Sequence, residues 1–169
     1  SFKGDVSEIA QFNGLEDSTN LLVGSIIIIP HGEVTPTPLP TSGRTIISSG
    51  SAPNISGYFI RPIQGGTKTQ GLHGYNGVDL ASFYGAEVYA SAGGTVIVSR
   101  DSGWSGGYGN YVVIRHDNST QTLYAHLSSN IVSQGQAVSQ GQVIGYIGST
   151  GRSTGNHVHF EVRGARNPF

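Results

Sequence analysis

From Tyr58 onward the chain alternates apolar and polar residues in short runs punctuated by glycine. Val78–Ala81, Glu87–Ala90, Thr95–Ser99, Tyr111–His116 and Gln121–His126 follow the two-residue period of a half-buried strand, because successive strand side chains leave on opposite faces. Val138–Gly145 reads as strand, turn and strand, echoed in shorter form by Ile147-Gly148. His157–Val162 alternates as well, after a glycine-containing turn. His157 and His159 project together, roughly 6–7 Å apart at Cα, while Val158 and Phe160 face the opposite way into a core. This region contains no long amphipathic helical pattern, so the pattern predicts an all-β domain rich in tight turns.

Helical spacing occurs near the N-terminus, at Val6, Ile9, Ala10 and Asn13, with Asp5 or Ser7 placed to cap it and Asn13-Gly14 to end it. A strand, Ser25–Ile29, follows and is closed by Pro30. Beyond it, Pro36, Pro38 and Pro40 alternate with Thr and Leu, which favours an extended spacer. These changes of pattern divide the chain into a small α+β unit at 1–32, a linker at 33–50 and a main domain at 51–169.

Composition narrows the function. Charged residues make up 11% of 169 residues and the net charge is -1, so the chain carries neither the basic balance of a nucleic-acid binder nor a polybasic membrane patch. Cysteine is absent, which removes disulfides and thiolate metal sites. The apolar run Ile26–Ile29 is far too short to cross a bilayer, and no signal-like segment is present. The chain starts at Ser1 without Met, so it is expected to be a processed or excised piece of a longer precursor.

Histidine carries the candidate chemistry. Of six, His31 belongs to the first unit and His116 ends a strand at an Asp-Asn turn, so both are read as structural or solvated. His73, His126, His157 and His159 remain, with Asp79 six residues after His73. Two imidazoles side by side on a strand supply two ligands, or one ligand and one proton-transfer group. A His and a carboxylate joined by a distant His form a three-ligand set for Zn²⁺ with a fourth position open. Asp79 alternatively braces the turn without touching metal. The glycine-rich loop DSGWSGGYGN (Asp101–Asn110) carries Trp104 and Tyr108, which are expected either to line a cleft on a mobile loop or, for Trp104, to pack back on the core.

The segments HGYNGVDLA, YGNYVVIRH, TLYAHLS, VSQGQVIGYIGSTGRSTGNHVHFEVR and the closing NPF resemble the M23 metallopeptidases, the LytM and lysostaphin-type endopeptidases. The likeness runs from about Gly57 to Phe169 in the family's order. It implies a mainly β, two-sheet antiparallel catalytic domain with a groove between loops and Zn²⁺ on its floor. It implies His73, Asp79 and His159 as metal ligands, with His126 and His157 activating the attacking water and stabilising the tetrahedral intermediate. His73 and Asp79 stand further apart than in the common His-x-Gly-x-Asp pattern, and the inserted Gly74–Gly77 is expected to form a tight loop. The substrate implied is the peptide cross-link or stem of bacterial peptidoglycan, and the location is secreted or at the cell envelope.

VSEIAQFNGLEDSTNLLVGSIIIIP resembles the second half of a LysM domain, a module that binds N-acetylglucosamine-containing glycans. Two alternatives stand beside the peptidase. One is a LytM-like regulator that binds cell wall and activates a separate amidase, a role associated with lost metal ligands. The other is a carrier-type β domain, because GxxVxxGQxIG resembles a lipoyl-like hairpin. The first is opposed by the complete set of histidines and the second by the lack of a lysine at a hairpin tip.

Overall fold

The computed structural model describes residues 55–169; the expected unit at 1–32 and the linker at 33–50 lie outside the described residues. Nine strands follow in order: β1 (Thr67–His73), β2 (Gly77–Ala81), β3 (Glu87–Tyr89), β4 (Gly94–Arg100), β5 (Asn110–Arg115), β6 (Gln121–Asn130), β7 (Ala137–Val138), β8 (Val143–Ile147) and β9 (His157–Arg163). Every pairing between them is antiparallel. Between β4 and β5 lies a single 3-10 turn, Ser105–Gly107.

Hydrogen bonds join β1-β2-β9-β6-β5-β4-β7 into one path, and the β3-β8 pair joins it at β6. The two expected sheets are therefore continuous through β6. One edge of this ten-residue strand pairs with β5. Along the other edge Gln121–Ala125 pair with β9, and Leu127–Asn130 pair with β8. The change of partner falls at His126, whose φ of 63° lies in the left-handed region. A bulge there turns the strand and re-aims a side chain.

The period of two sorts these strands into two faces. One face presents Val78 and Leu80 of β2, Val158, Phe160 and Val162 of β9, Tyr124 of β6 and Ile114 of β5. With Val88, Ile144 and Ile147 from β3 and β8, they form the buried core. Burying a side chain such as Phe160 contributes about 1.5–3 kcal/mol before conformational entropy is subtracted. The other face is polar at its centre. Register places Asp79 opposite His159 and His159 opposite Ala125, with Gly77, Glu161, Leu123 and Val113 aligned in a neighbouring row.

His116 is structural, as expected, and buried at 3% exposure. Its Nδ1–H donates to Gly93 O (2.8 Å), so Nε2 is the acceptor for the Thr122 hydroxyl (2.9 Å). Thr122 in turn receives the Tyr124 hydroxyl (2.9 Å), whose oxygen accepts the Ser91 N–H (2.8 Å). Along this relay, from Gly93 O through His116, Thr122 and the Tyr124 hydroxyl to Ser91 N, each group has its partner, and the imidazole in it is neutral.

One strand lies outside the pattern reading. β1 was not anticipated: TKTQGLH is polar, has no alternation, and is exposed along all but its last residue. Exposed on both faces, it has no apolar and polar sides for an alternation to mark. Val138–Gly145 is strand, turn and strand as expected, and its two strands go to different partners: β7 pairs with β4 whereas β8 pairs with β3 and β6. The turn between them is stiff: Gly141 has φ 80°, and the Gln142 side chain accepts the Ser139 N–H (3.1 Å). An equivalent turn precedes β7, with Gly135 at φ 85° and Gln136 accepting from Ser133 N (3.0 Å).

Candidate metal centre and its neighbouring histidines

The polar face of β2 and β9 gathers the residues singled out from the sequence. His73 ends β1, and a turn through Gly74 (φ 51°) and Asn76 (φ 62°) returns the chain into β2, which brings in Asp79. The longer spacing is absorbed by this turn, as expected. Asn76 fastens it: its side-chain amide donates to Val162 O (2.7 Å) and Ala165 O (2.8 Å). Asn167 closes the clamp by donating to Asn76 O (2.9 Å) and Phe160 O (3.2 Å). Gly77 is required by space, because a Cβ there would stand 2.6 Å from Cε1 and 2.8 Å from Nε2 of His159.

Asp79 lies at the centre. His159 Nδ1 is 2.8 Å and His73 Nε2 3.4 Å from its Oδ1, and His157 Nε2 is 3.8 Å from its Oδ2. One ligand atom from each of His73, Asp79 and His159 lies within 4.8 Å of the others. Two imidazole nitrogens and a carboxylate oxygen form a donor set suited to a divalent ion such as zinc. The remaining histidines flank the group. The ring of His126 is centred 4.8 Å from that of His157 and 6.0 Å from that of His159.

Backbone carbonyls decide which nitrogen each ring offers. Nδ1–H of His73 donates to Gly71 O (2.7 Å), that of His157 to Gly155 O (2.9 Å), and that of His126 to Thr150 O (2.8 Å). A carbonyl only accepts, so each Nδ1 bears a proton and each Nε2 is left for chemistry. His159 is turned the other way. Its Nε2–H donates to Glu161 Oε1 (3.1 Å), while Nδ1 faces Asp79 and the cluster.

Electrostatics follow from these contacts. Burial alone would lower the pKa of His159, but hydrogen bonds to Asp79 and Glu161 outweigh it and push the pKa up to about 9 in the metal-free protein. Asp79 experiences the opposite balance: burial raises it, and His159 with the neighbouring imidazoles holds it below the usual carboxylate range. His126 is pushed down to about 4, chiefly by burial, so it is neutral and able to accept a proton near pH 7.

Pattern reading missed Glu161 and Arg163, and it named Tyr108 only as a loop aromatic expected to line a cleft. Glu161 is 1% exposed and receives His159, the Tyr108 hydroxyl (2.7 Å), and Arg163 through Nε (2.9 Å) and Nη2 (2.7 Å). The signal was available, since extending the period of two beyond His159 places Glu161 and Arg163 on the same face. Within the glycine-rich loop the two aromatics diverge. Trp104 is 62% exposed, so it does not pack back, whereas Tyr108 turns inward to Glu161. The loop's backbone lies directly on Thr150–Arg152. Arg152 N–H donates to Gly107 O (2.7 Å), and a Cβ on Gly109 or Gly151 would collide with the facing backbone.

Comparison with known proteins places this geometry in context. Residues 73–169 match the model of peptidase family M23. The DD-carboxypeptidase/endopeptidase Mpg of Neisseria meningitidis is 50% identical over 107 residues, covering 63% of this chain and 23% of Mpg. The peptidoglycan DD-endopeptidase ShyA of Vibrio cholerae is 48% identical over 88 residues, covering 52% of this chain and 20% of ShyA. The chain thus spans about a quarter or less of the length of these curated relatives. Among solved structures, the catalytic domain of the antimicrobial peptidase lysostaphin from Staphylococcus simulans superposes with a TM-score of 0.50 at 32% identity, covering 59% of this chain and 79% of that one. With its family match extending over more than half of its length and its strands forming an antiparallel β domain, the chain belongs to peptidase family M23.

Proposed function

We propose that this chain is a zinc-dependent endopeptidase that cleaves peptide cross-links or stem peptides of bacterial peptidoglycan. The observation that carries the reading is the convergence of His73 Nε2, Asp79 and His159 Nδ1, with His157 Nε2 and the ring of His126 alongside. His73, Asp79 and His159 would hold Zn²⁺, which when bound supplies Lewis acidity toward the scissile carbonyl and the attacking water. His126 and His157 are assigned the proton transfers. Each has its Nδ1–H fixed on a carbonyl, so a proton taken from water or returned to the leaving amine moves at Nε2. Similarity to proteins named as peptidoglycan DD-endopeptidases supports the substrate class and a secreted or envelope location. The complete donor set favours catalysis over the regulator reading. The domain scheme is proposed accordingly: a partial LysM-like unit at 1–32, a linker at 33–50, and the peptidase at 51–169.

The test is digestion of purified cell walls of different cross-bridge types, followed by mass analysis of the released fragments. Zinc-loaded protein should release peptide fragments, and chelator or Asp79→Ala should abolish the release. Undiminished release in chelator by zinc-free protein would overturn the metal assignment, and no release from any wall would overturn the substrate class.

A further inference from the structure

We propose that Glu161 is a positioning residue for the metal centre: it holds His159 with Nδ1 directed at the cluster and, through Tyr108, makes the glycine-rich loop part of the metal site's support. The proposal rests on the reading of His159 as a ligand. Imidazole can bind a metal through either nitrogen, and the hydrogen bond made by the other nitrogen selects between them. In three of the clustered histidines the partner is a backbone carbonyl at Nδ1. In His159 both nitrogens meet carboxylates: Nδ1 lies 2.8 Å from Asp79 Oδ1, inside the cluster, and Nε2 donates to the buried Glu161 on the far side (3.1 Å). That reversal makes Nδ1 the donor, and Gly77 leaves the ring just enough room to adopt it.

A carboxylate this deeply buried needs compensation, and Arg163 provides it with two hydrogen bonds to Oε2. Oε1 faces the metal side and is shared by His159 and the Tyr108 hydroxyl. Tyr108 also accepts the His126 N–H at its carbonyl oxygen (2.9 Å). One loop residue therefore touches both the support of a ligand and the backbone of the neighbouring base. Displacement of the loop at Tyr108 would be felt at His159 and His126 together.

The test uses the full chain. Zinc affinity is measured by competition with a chromophoric chelator, and the His159 ring is followed by ¹H–¹⁵N NMR in the zinc-loaded protein. Glu161→Gln should weaken zinc binding by about 10–100-fold, the range found when a ligand's outer partner is lost. The His159 Nε2–H resonance should move upfield or disappear through exchange. Tyr108→Phe keeps the carboxylate and removes one hydrogen bond, so it should shift both readouts in the same direction by less. Unchanged affinity and an unchanged Nε2–H signal in folded Glu161→Gln would overturn the proposal. Should Glu161→Gln fail to fold, the same null result in Tyr108→Phe would overturn it. Wild-type protein that binds no zinc would overturn the ligand assignment itself, and this inference with it.

Discussion

Each histidine of the cluster has one ring nitrogen fixed by a named partner, and the identity of that partner separates roles that residue type alone leaves equivalent. His157 and His159 stand two positions apart on one strand face, yet one gives its Nδ1 proton to Gly155 O and the other its Nε2 proton to Glu161. Their alanine variants should fail differently. His159→Ala and His73→Ala each remove a proposed ligand, so zinc content and activity should fall together. His157→Ala and His126→Ala should keep zinc and lose about 10²–10⁴-fold in rate, the usual contribution of a general acid or base. Zinc stoichiometry and hydrolysis rate on the same preparations decide the matter; metal lost from His157→Ala but retained by His159→Ala would reverse the roles. The sequence made His157, His159 and Asp79 legible because they fall on strands of readable period, whereas His73 was legible from its spacing to Asp79 and not from its strand. It did not reveal which nitrogen each ring presents, because the deciding carbonyls include Thr150 O, which reaches His126 from 24 residues away. Nor did it flag Glu161, a buried charge whose compensation becomes visible only once Tyr108 and Arg163 surround it.

Strands with buried side chains were readable, and the exposed one was not. β2, β5, β6 and β9 are buried on both faces, one apolar and one carrying the polar cluster, whereas β1 is an exposed edge whose place is set by β2 and by the turn at its end. The separation of β7 from β8 was equally hidden, since a glycine turn flanked by apolar pairs resembles a hairpin until the partners β4 and β6 are known. Anchoring of the β1–β2 turn comes from the far end of the chain, through Asn167. Asn167→Ala removes the amide donor from the buried Phe160 carbonyl and the partly buried Asn76 carbonyl and should destabilise the domain by about 1–3 kcal/mol. Faster amide exchange should be concentrated at residues 74–79, and zinc affinity should drop. Exchange unchanged in that turn would show that Asn167 does not hold it.

The balance of charges at the site also sets how the whole domain responds to acid and base. His116 and His126 are buried and their pKa values lie below that of an unfolded histidine, His126 at about 4. Below about pH 6.5 the unfolded chain takes up protons that these two sites resist, so stability falls with pH, by up to about 1.4 kcal/mol per unit for each group. His159 has the opposite sign. Its pKa of about 9 in metal-free protein contributes stability that is complete below about pH 6.5 and lost as pH rises through 9. The metal-free melting temperature should therefore peak near neutrality and decline on both sides; stability that keeps rising from pH 6.5 to 5 would contradict the neutral state of the buried imidazoles. The arrangement of β9 also constrains how the chain can change over evolutionary time. Val158 and Phe160 build the interior while His157 and His159 face the cluster, so a single-residue insertion or deletion within the strand would exchange the two sets. Length variation is therefore forbidden in β9 and directed to exposed turns such as the one carrying Phe83 and Tyr84, where diversification can proceed without disturbing either face.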